Sequence, residues 1–477
     1  MPRRRLEVKS GSVAELEDGV RAIGTELEIR TEFPNQVQQE AREAAATPLL
    51  PDRDCTDLPF VTIDPPGARD LDQAMHIERD GDGYLIYYAI ADVAAFVRPG
   101  GAVDGEAHLR GQTFYAPTHR VALHPPELSE DAASLLADQV RPALVWRIRL
   151  DVSGEGTDAE VFRALVRSRG QYDYDGVQRL VDSGDADEVF LLLREVGELR
   201  LKHERERGGV SLALPEQEIA VEADRWSLGF RESLPVEAWN EQISLLTGMA
   251  AADLMMYAQV GLLRTLPPAD ARGIGRLRRA AKALEISWPQ DMDYPDFVRT
   301  LDPVTSRHQA MLSECTTLLR GAAYAAFDGA IPAQPEHAAI ASEYAHATAP
   351  LRRLADRYVG EICVAICSGV PVPEWARAEL DALPAIMQGS DRRVGAYERQ
   401  IVDLVEAGLL ATSVGETYEG VVIDADSKDP RHGTVMVRDP AVEATVWADE
   451  RLPVGETVNV RLVEADVSAR KVHFEVT

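Results

Sequence analysis

From Leu58 onward the chain carries two kinds of apolar pattern. Phe60-Val61-Thr62-Ile63 and Tyr84-Leu85-Ile86-Tyr87-Tyr88-Ala89-Ile90 are short, nearly unbroken runs of branched and aromatic side chains, the pattern of buried strands. Val145-Trp146-Arg147-Ile148-Arg149-Leu150 alternates instead, as a half-buried strand does. From about Tyr174 the spacing turns helical, over Glu188 to Glu206, Val236 to Gln259, Pro303 to Phe327 and Leu351 to Cys367. Pro371, Pro373 and Pro384 predict a break before a last helix, Arg392 to Thr412.

The two ends differ from this middle. Residues 1–53 read as a short helical region, with polar, alanine-rich Gln36 to Ala46 ended by Pro48 and Pro51. The tail holds five strand-like runs separated by turn residues: Gly420 to Ile423, Gly433 to Val437, Ala444 to Trp447, Thr457 to Leu462 and Lys471 to Val476. Five strands in so short a stretch fit a small closed barrel of the OB type. The expected organisation is therefore α+β, divided into 1–53, 54–412 and 413–477.

Composition changes this picture little, and charge complicates it. Hydrophobic residues make up 45% and charged residues 27%, which supports a sizeable core. No apolar run is long enough for a membrane span, and Met1 to Glu7 lacks the apolar stretch of a secretory signal, so a cytoplasmic monomer is expected. Four cysteines are too few for a disulfide scaffold, and Cys363 and Cys367 read as a buried thiol pair on an apolar helix. Fifty basic against 79 acidic residues gives −29, a surface that repels a phosphate backbone. Any nucleic-acid site must then be a local basic channel, or one where cations supply the positive charge.

The most informative stretch runs from Ile63-Asp64 through Pro65-Pro66-Gly67 to Ala68-Arg69-Asp70-Leu71-Asp72-Gln73. Such a loop can aim several carboxylates into one small volume, where they repel one another unless a cation joins them. Hard oxygen donors of this kind suit Mg²⁺ or Mn²⁺. On the loop alone, a cation site and a solvated acidic turn are both open.

Taken with several segments downstream, the loop resembles the catalytic signature of the RNB (ribonuclease II-like) family, Asp-x5-Asp-x-Asp-Asp. Asp64, Asp70 and Asp72 match three of its aspartates, and Gln73 stands where the family has the fourth. Ala89-Ile90-Ala91-Asp92-Val93, Arg110-Gly111-Gln112-Thr113-Phe114-Tyr115, Pro125-Pro126-Glu127-Leu128, Val140-Arg141-Pro142 and Tyr172-Asp173-Tyr174-Asp175 come next, in family order. Asn240-Glu241-Gln242 lies where the family has a helical Glu-Glu pair, and Thr348-Ala349-Pro350-Leu351-Arg352-Arg353-Leu354-Ala355-Asp356 resembles its arginine segment.

The resemblance implies hydrolysis of single-stranded RNA from the 3′ end to nucleoside 5′-monophosphates. Asp64, Asp70, Asp72 and Gln73 would form the metal position, with Asp70, Asp72 and Arg352 as catalytic residues. Arg352 would face the scissile phosphate, Tyr115 would stack on the terminal base, and Tyr174 and Glu241 would contact the ribose. A surface ion pair for Arg352, a core position for Tyr115 and structural roles for Tyr174 and Glu241 are the alternatives. Gly208 to Leu214 carries leucine where relatives have a second clamping ring, which implies weaker processivity or a shorter minimal substrate. The tail resembles the family's C-terminal S1 barrel without its aromatic platform, and its seven basic and 13 acidic residues imply little RNA affinity of its own. Competing readings are an RNB protein that binds RNA ends without cutting (from Gln73), a tRNA 3′-end trimming enzyme, and a metal phosphohydrolase for small molecules.

Overall fold

The computed structural model describes residues 10–212, 214, 216–222 and 225–477. Met1 to Glu7 and Ala213 lie outside the described residues. Two closed five-stranded barrels, joined by helices, make an α+β fold.

The first barrel is built from Phe60–Ile63, Gln73–Asp80, Gly83–Ala91, Val140–Leu150 and Gly156–Tyr172. Neighbouring strands run antiparallel, and the barrel closes where the last lies parallel to the first, pairing Ile63 with Tyr172. The unbroken apolar run at Gly83–Ala91 is central, hydrogen-bonded on both sides and covered on both faces, which is why it carries no polar alternation. Tyr88, Ile86 and Trp146 point into one core, while Ala89, Ala91 and Val145 join a second beneath the N-terminal helix Asn35–Ala46.

Helices Glu188–Arg207 and Leu354–Cys367 pack against this barrel, and Pro235–Ala258 packs on both of these helices. Among the described residues no helix is long and apolar enough to cross a membrane. The second barrel comprises Thr417–Ala425, His432–Val437, Val442–Trp447, Thr457–Asp466 and Lys471–Val476, with the third and fifth strands parallel. The five runs expected in the tail are all strands.

Several expectations from the pattern are corrected. The last long helix begins at Leu383, not Arg392, and Pro384 sits in its first turn, where a missing N–H costs nothing. Pro303 to Phe327 is helical only through Leu319; Ala323–Asp328 pairs with Val260–Thr265 as an antiparallel ribbon. That alanine-rich segment has high helix propensity, and tertiary pairing overrides it. A second hairpin, Glu216–Glu222 with Arg225–Arg231, also lies in the region expected to be mainly helical. Cys363 is buried as expected, but Cys367 is exposed, one turn further along the same helix.

Candidate active site

The site begins where the first barrel strand ends. Asp64 follows Ile63 directly, and its backbone N–H donates to the Tyr172 carbonyl (3.0 Å), continuing the barrel pairing by one residue. Gly67 takes φ +79°, so the chain can reverse after Pro65-Pro66 at a position where a side chain would be strained. Ser134 then ties down the return: its hydroxyl donates to the Arg69 carbonyl (2.6 Å) and accepts from the Leu71 N–H (2.9 Å). Leu71 is fully buried between Asp70 and Asp72 and anchors the loop in the core.

Asp72 is 3% exposed. Its Oδ1 accepts from the Leu351 N–H (2.7 Å), whereas Oδ2 has no hydrogen-bond partner and lies 3.4 Å from Arg352 Nε. Burial pushes its carboxyl up to about 8, against the opposing pull of Arg352. Asp64 behaves alike: burial raises it to about 7, with Arg352 lowering and Asp70 raising it. A buried carboxylate that is neither protonated nor paired is costly, so both groups favour a cation or a proton.

Arg352 sits on a turn held from several sides. Asp356 Oδ1 accepts from the Ala349 N–H (2.8 Å), and both its oxygens bind the Arg353 guanidinium (2.6 and 2.9 Å). The Arg352 carbonyl accepts from the Thr113 N–H, and the Leu354 N–H donates to the Gly111 carbonyl. Arg353 is thus the structural arginine, which leaves the side chain of Arg352 48% exposed beside Asp72.

Asp70 departs from the arrangement the loop suggested. Its Oδ1 accepts from Arg120 Nη1 (2.7 Å) and its Oδ2 from the Tyr115 hydroxyl (3.1 Å). Tyr115 and Arg120 are direct cross-strand partners in the short hairpin Phe114–Tyr115 and Arg120–Val121, so one pair closes on both oxygens. Arg120 is held from behind by Glu130, 3.0 Å from its Nε. Consistent with this, among the described residues no three His, Cys, Asp or Glu side chains gather as a group able to hold a metal ion.

Gln73 is also engaged with protein. Its Nε2 donates to the Thr348 carbonyl (2.6 Å) and its Oε1 accepts from the buried Tyr88 hydroxyl (2.9 Å). Because a carbonyl can only accept, Thr348 decides which way the amide faces.

The remaining residues surround this centre. Tyr115 is 42% exposed. Tyr174 opens the helix Tyr174–Ser183, N-capped by Asp173, whose carboxylate accepts from the Gly176 N–H (2.6 Å). Its hydroxyl accepts from Asn240 Nδ2 (3.4 Å), which ties it to the helix bearing Glu241. Glu241 is exposed, and Gln242 is turned into the core onto Glu204 (2.6 Å). Leu212 and Leu214 pack with Val210 against a cluster containing Phe297 and Met311. Arg120, Tyr88 and Thr348 have no site role legible in the sequence: Tyr88 looks like core, Thr348 shows only as part of the arginine segment, and nothing local marks Arg120 as Asp70's partner.

Residues 52–368 match the RNB domain family, and 416–477 match the RNase II-type exonuclease C-terminal S1 domain. The chain belongs to the RNB family. This RNB chain is 26% identical over 459 residues to Ribonuclease R of Escherichia coli, a match covering 88% of this chain and 56% of that protein. It spans about half the length of the curated relatives it matches. Two solved structures show the same fold. Mycoplasma genitalium RNase R, in complex with ribose methylated single-stranded RNA, gives a TM-score of 0.85 at 20% identity, covering 97% of this chain and 78% of that one. Yeast Ssd1, a pseudonuclease, gives 0.74 at 15%, covering 95% and 57%.

Proposed function

We propose that this RNB protein hydrolyses single-stranded RNA from its 3′ end, releasing nucleoside 5′-monophosphates with Mg²⁺ or Mn²⁺. The observation that carries this reading is the unpartnered, buried Oδ2 of Asp72 beside the half-exposed guanidinium of Arg352. A purely structural ion pair would satisfy both groups. This one leaves a carboxylate oxygen free for a cation and a guanidinium free for a phosphate.

Asp72 fits a hard cation, since its buried Oδ2 has no hydrogen-bond partner, and Asp64 would be the second carboxylate, Mg²⁺ being commonly held by one or two carboxylates plus substrate phosphate. Such an ion supplies positive charge at the scissile phosphate and activates the attacking water. Arg352 adds fixed charge where it builds up on the phosphoryl oxygens, with a planar fork suited to them. The bond broken is between the last phosphorus and the 3′-oxygen of the preceding nucleotide, which departs as a hydroxyl.

Tyr115 offers its ring face to the terminal base, a contact that tolerates every base. Tyr174 and Glu241, on adjoining helices, would read the 2′-hydroxyl that separates RNA from DNA.

Digestion of 5′-labelled RNA and matched DNA with Mg²⁺ or Mn²⁺, beside Asp72→Asn, tests the proposal. Stepwise shortening of RNA alone, lost in the variant, is the expected result. A second reading, RNA-end binding without cleavage, is favoured by Gln73, whose amide is tied to Thr348 and Tyr88. Retained binding with no cleavage in either metal would select it.

A further inference from the structure

A chain with 50 basic and 79 acidic residues has to gather positive charge locally to meet a phosphate backbone. The C-terminal barrel does not do so, with seven basic and 13 acidic residues. Helix Ala271–Ala283 does: five of its 13 residues are basic and none is acidic.

Helical spacing sorts these residues onto separate faces. Gly273, Leu277 and Ala281 are buried toward helix Ser306–Cys315, where Ala310 and Met311 share their cluster. Arg278 is half-buried to one side and is spent on the Trp288, Pro289 and Met292 carbonyls and on the Trp288 ring. Arg272, Arg276 and Arg279, at i, i+4 and i+7, are exposed on the face away from the core, with Lys282 beside them. The three arginines span about 10 Å along the axis, and Lys282 extends the row to about 15 Å. Arg320 joins its start. Leu318 packs on Gly273, where any side chain would strike it, and the exposed Arg320 follows two residues on.

None of these five cations forms an ion pair with a described carboxylate. Their neighbours do: Arg299 pairs with Asp296 (2.9 Å), and Arg307 pairs with Glu285. Asp270 is spent on the helix start, where it accepts from the Gly273 N–H (2.6 Å). Arg276 donates to Thr317 Oγ1 (2.7 Å), and the half-buried Glu314 is close enough to feel its charge. One such carboxylate leaves the row positive. Like charges three and four apart on a helix repel, which costs stability unless an anion lies across them.

A short run of chain ties this face to the centre. Strand Val260–Thr265 leads into the helix, and its Arg264 N–H donates to the Tyr344 carbonyl (2.8 Å) on the approach to Thr348. The Arg264 side chain lies over Tyr324, whose hydroxyl is hydrogen-bonded to His346 (2.6 Å). From Arg264 to Arg272 is eight residues, at most roughly 28 Å of chain.

We propose that the row Arg272, Arg276, Arg279 and Lys282, with Arg320, binds the phosphate backbone of single-stranded RNA upstream of its 3′ end. It anchors the strand in place of the acidic barrel. The inference rests on RNA as the ligand of the proposed function, and its new content is the surface. Phosphate contacts carry no base or sugar information, so this face holds RNA and DNA alike.

The test is fluorescence anisotropy of the full chain in EDTA, with labelled single strands of about 20 and about four nucleotides over a range of salt. Each phosphate neutralised on a single strand contributes about 0.7 to the slope of log affinity against log salt. Arg272→Gln/Arg276→Gln/Arg279→Gln should therefore flatten the slope for the long strand by about 2. It should also weaken long RNA and long DNA equally, at least tenfold at low salt, and leave the short strand unchanged. Removing three paired arginines elsewhere, in Arg21→Gln/Arg42→Gln/Arg149→Gln, should leave the slope as in wild type.

An unchanged slope in the first variant would overturn the proposal. Equal flattening in the control would do so too, by making the effect one of net charge, as would an equal loss for the short strand. Should the first variant fail to fold, Arg279→Gln and Lys282→Gln singly carry the test, each flattening the slope by about 0.7, and no change in either overturns it. RNA cleavage by the same proteins in Mg²⁺ separates the two readings. A flattened slope with no cleavage by wild type defeats the exoribonuclease reading and leaves this one standing, and cleavage with an unchanged slope does the reverse.

Discussion

Arg352 Nε lies 3.4 Å from Asp72 Oδ2, although the two residues are 280 positions apart and Asp72 is nearly inaccessible to solvent. The contact is a charge pairing without a hydrogen bond, and Asp72 Oδ2 has no other partner. Arg352 is therefore poised rather than spent. Arg352→Ala should lower kcat by roughly 10²–10³-fold, the scale for losing one preorganised donor at a developing anion. Arg352→Lys should recover only part, since an ammonium cannot present the fork. Single-turnover cleavage of labelled RNA reads both, and a loss confined to KM would count against the assignment.

Tyr115 joins two roles through different atoms. Its hydroxyl donates to Asp70, and its ring is the part proposed to stack on the terminal base. Tyr115→Phe should therefore bind RNA nearly as wild type, whereas Tyr115→Ala should lose roughly 1–3 kcal/mol of binding. Fluorescence anisotropy on Asp72→Asn, which leaves the RNA intact, separates these outcomes. Equal losses in both variants would show that the hydroxyl matters and the ring does not.

The proposed role of Tyr174 and Glu241 at the 2′-hydroxyl has a direct consequence for the choice between RNA and DNA. Glu241→Ala should narrow the ratio of kcat/KM for RNA over DNA, mostly by slowing RNA cleavage. An unchanged ratio with both rates reduced would make Glu241 a structural residue.

A buried carboxyl away from the site links stability to pH. Glu406, 3% exposed on the long helix Leu383–Leu410, accepts from the Glu443 N–H (2.8 Å) and Gln217 Nε2 (2.7 Å). Burial pushes its carboxyl up from 4.5 to about 8. A carboxyl raised by folding is favoured in its protonated form, so its contribution is whole below about 4.5 and is lost as the pH climbs to about 8. Glu406→Gln keeps the acceptor without the charge. Its Tm should exceed that of wild type at pH 8.5 by on the order of a few degrees, and the two should converge near pH 5. A gap of the same size at both pH values would point to packing instead.

Strands and loop chemistry are legible in the sequence because both are local. Gly83–Ala91 announces burial by its unbroken apolar run, and Asp64, Asp70 and Asp72 announce a charged turn by spacing alone. The five tail strands show for the same reason. What escapes is whatever depends on a distant neighbour. Ala323–Asp328 favours helix by composition and becomes a strand because Val260–Thr265 lies beside it. Pro384 reads as a breaker and is a helix start, since position within the first turn decides its cost.

The same holds at the centre itself. The sequence by itself determined that three carboxylates share one loop at the end of a buried strand, and its resemblance to the RNB family implied an arginine beside them. Only the tertiary structure decided how they divide. Asp70 faces Arg120 because a short hairpin fifty residues on places the guanidinium there, and Gln73 faces Thr348 across 275 positions. The energy of a buried charge or amide depends on which partner fills the last few ångströms, and that partner is chosen by the fold.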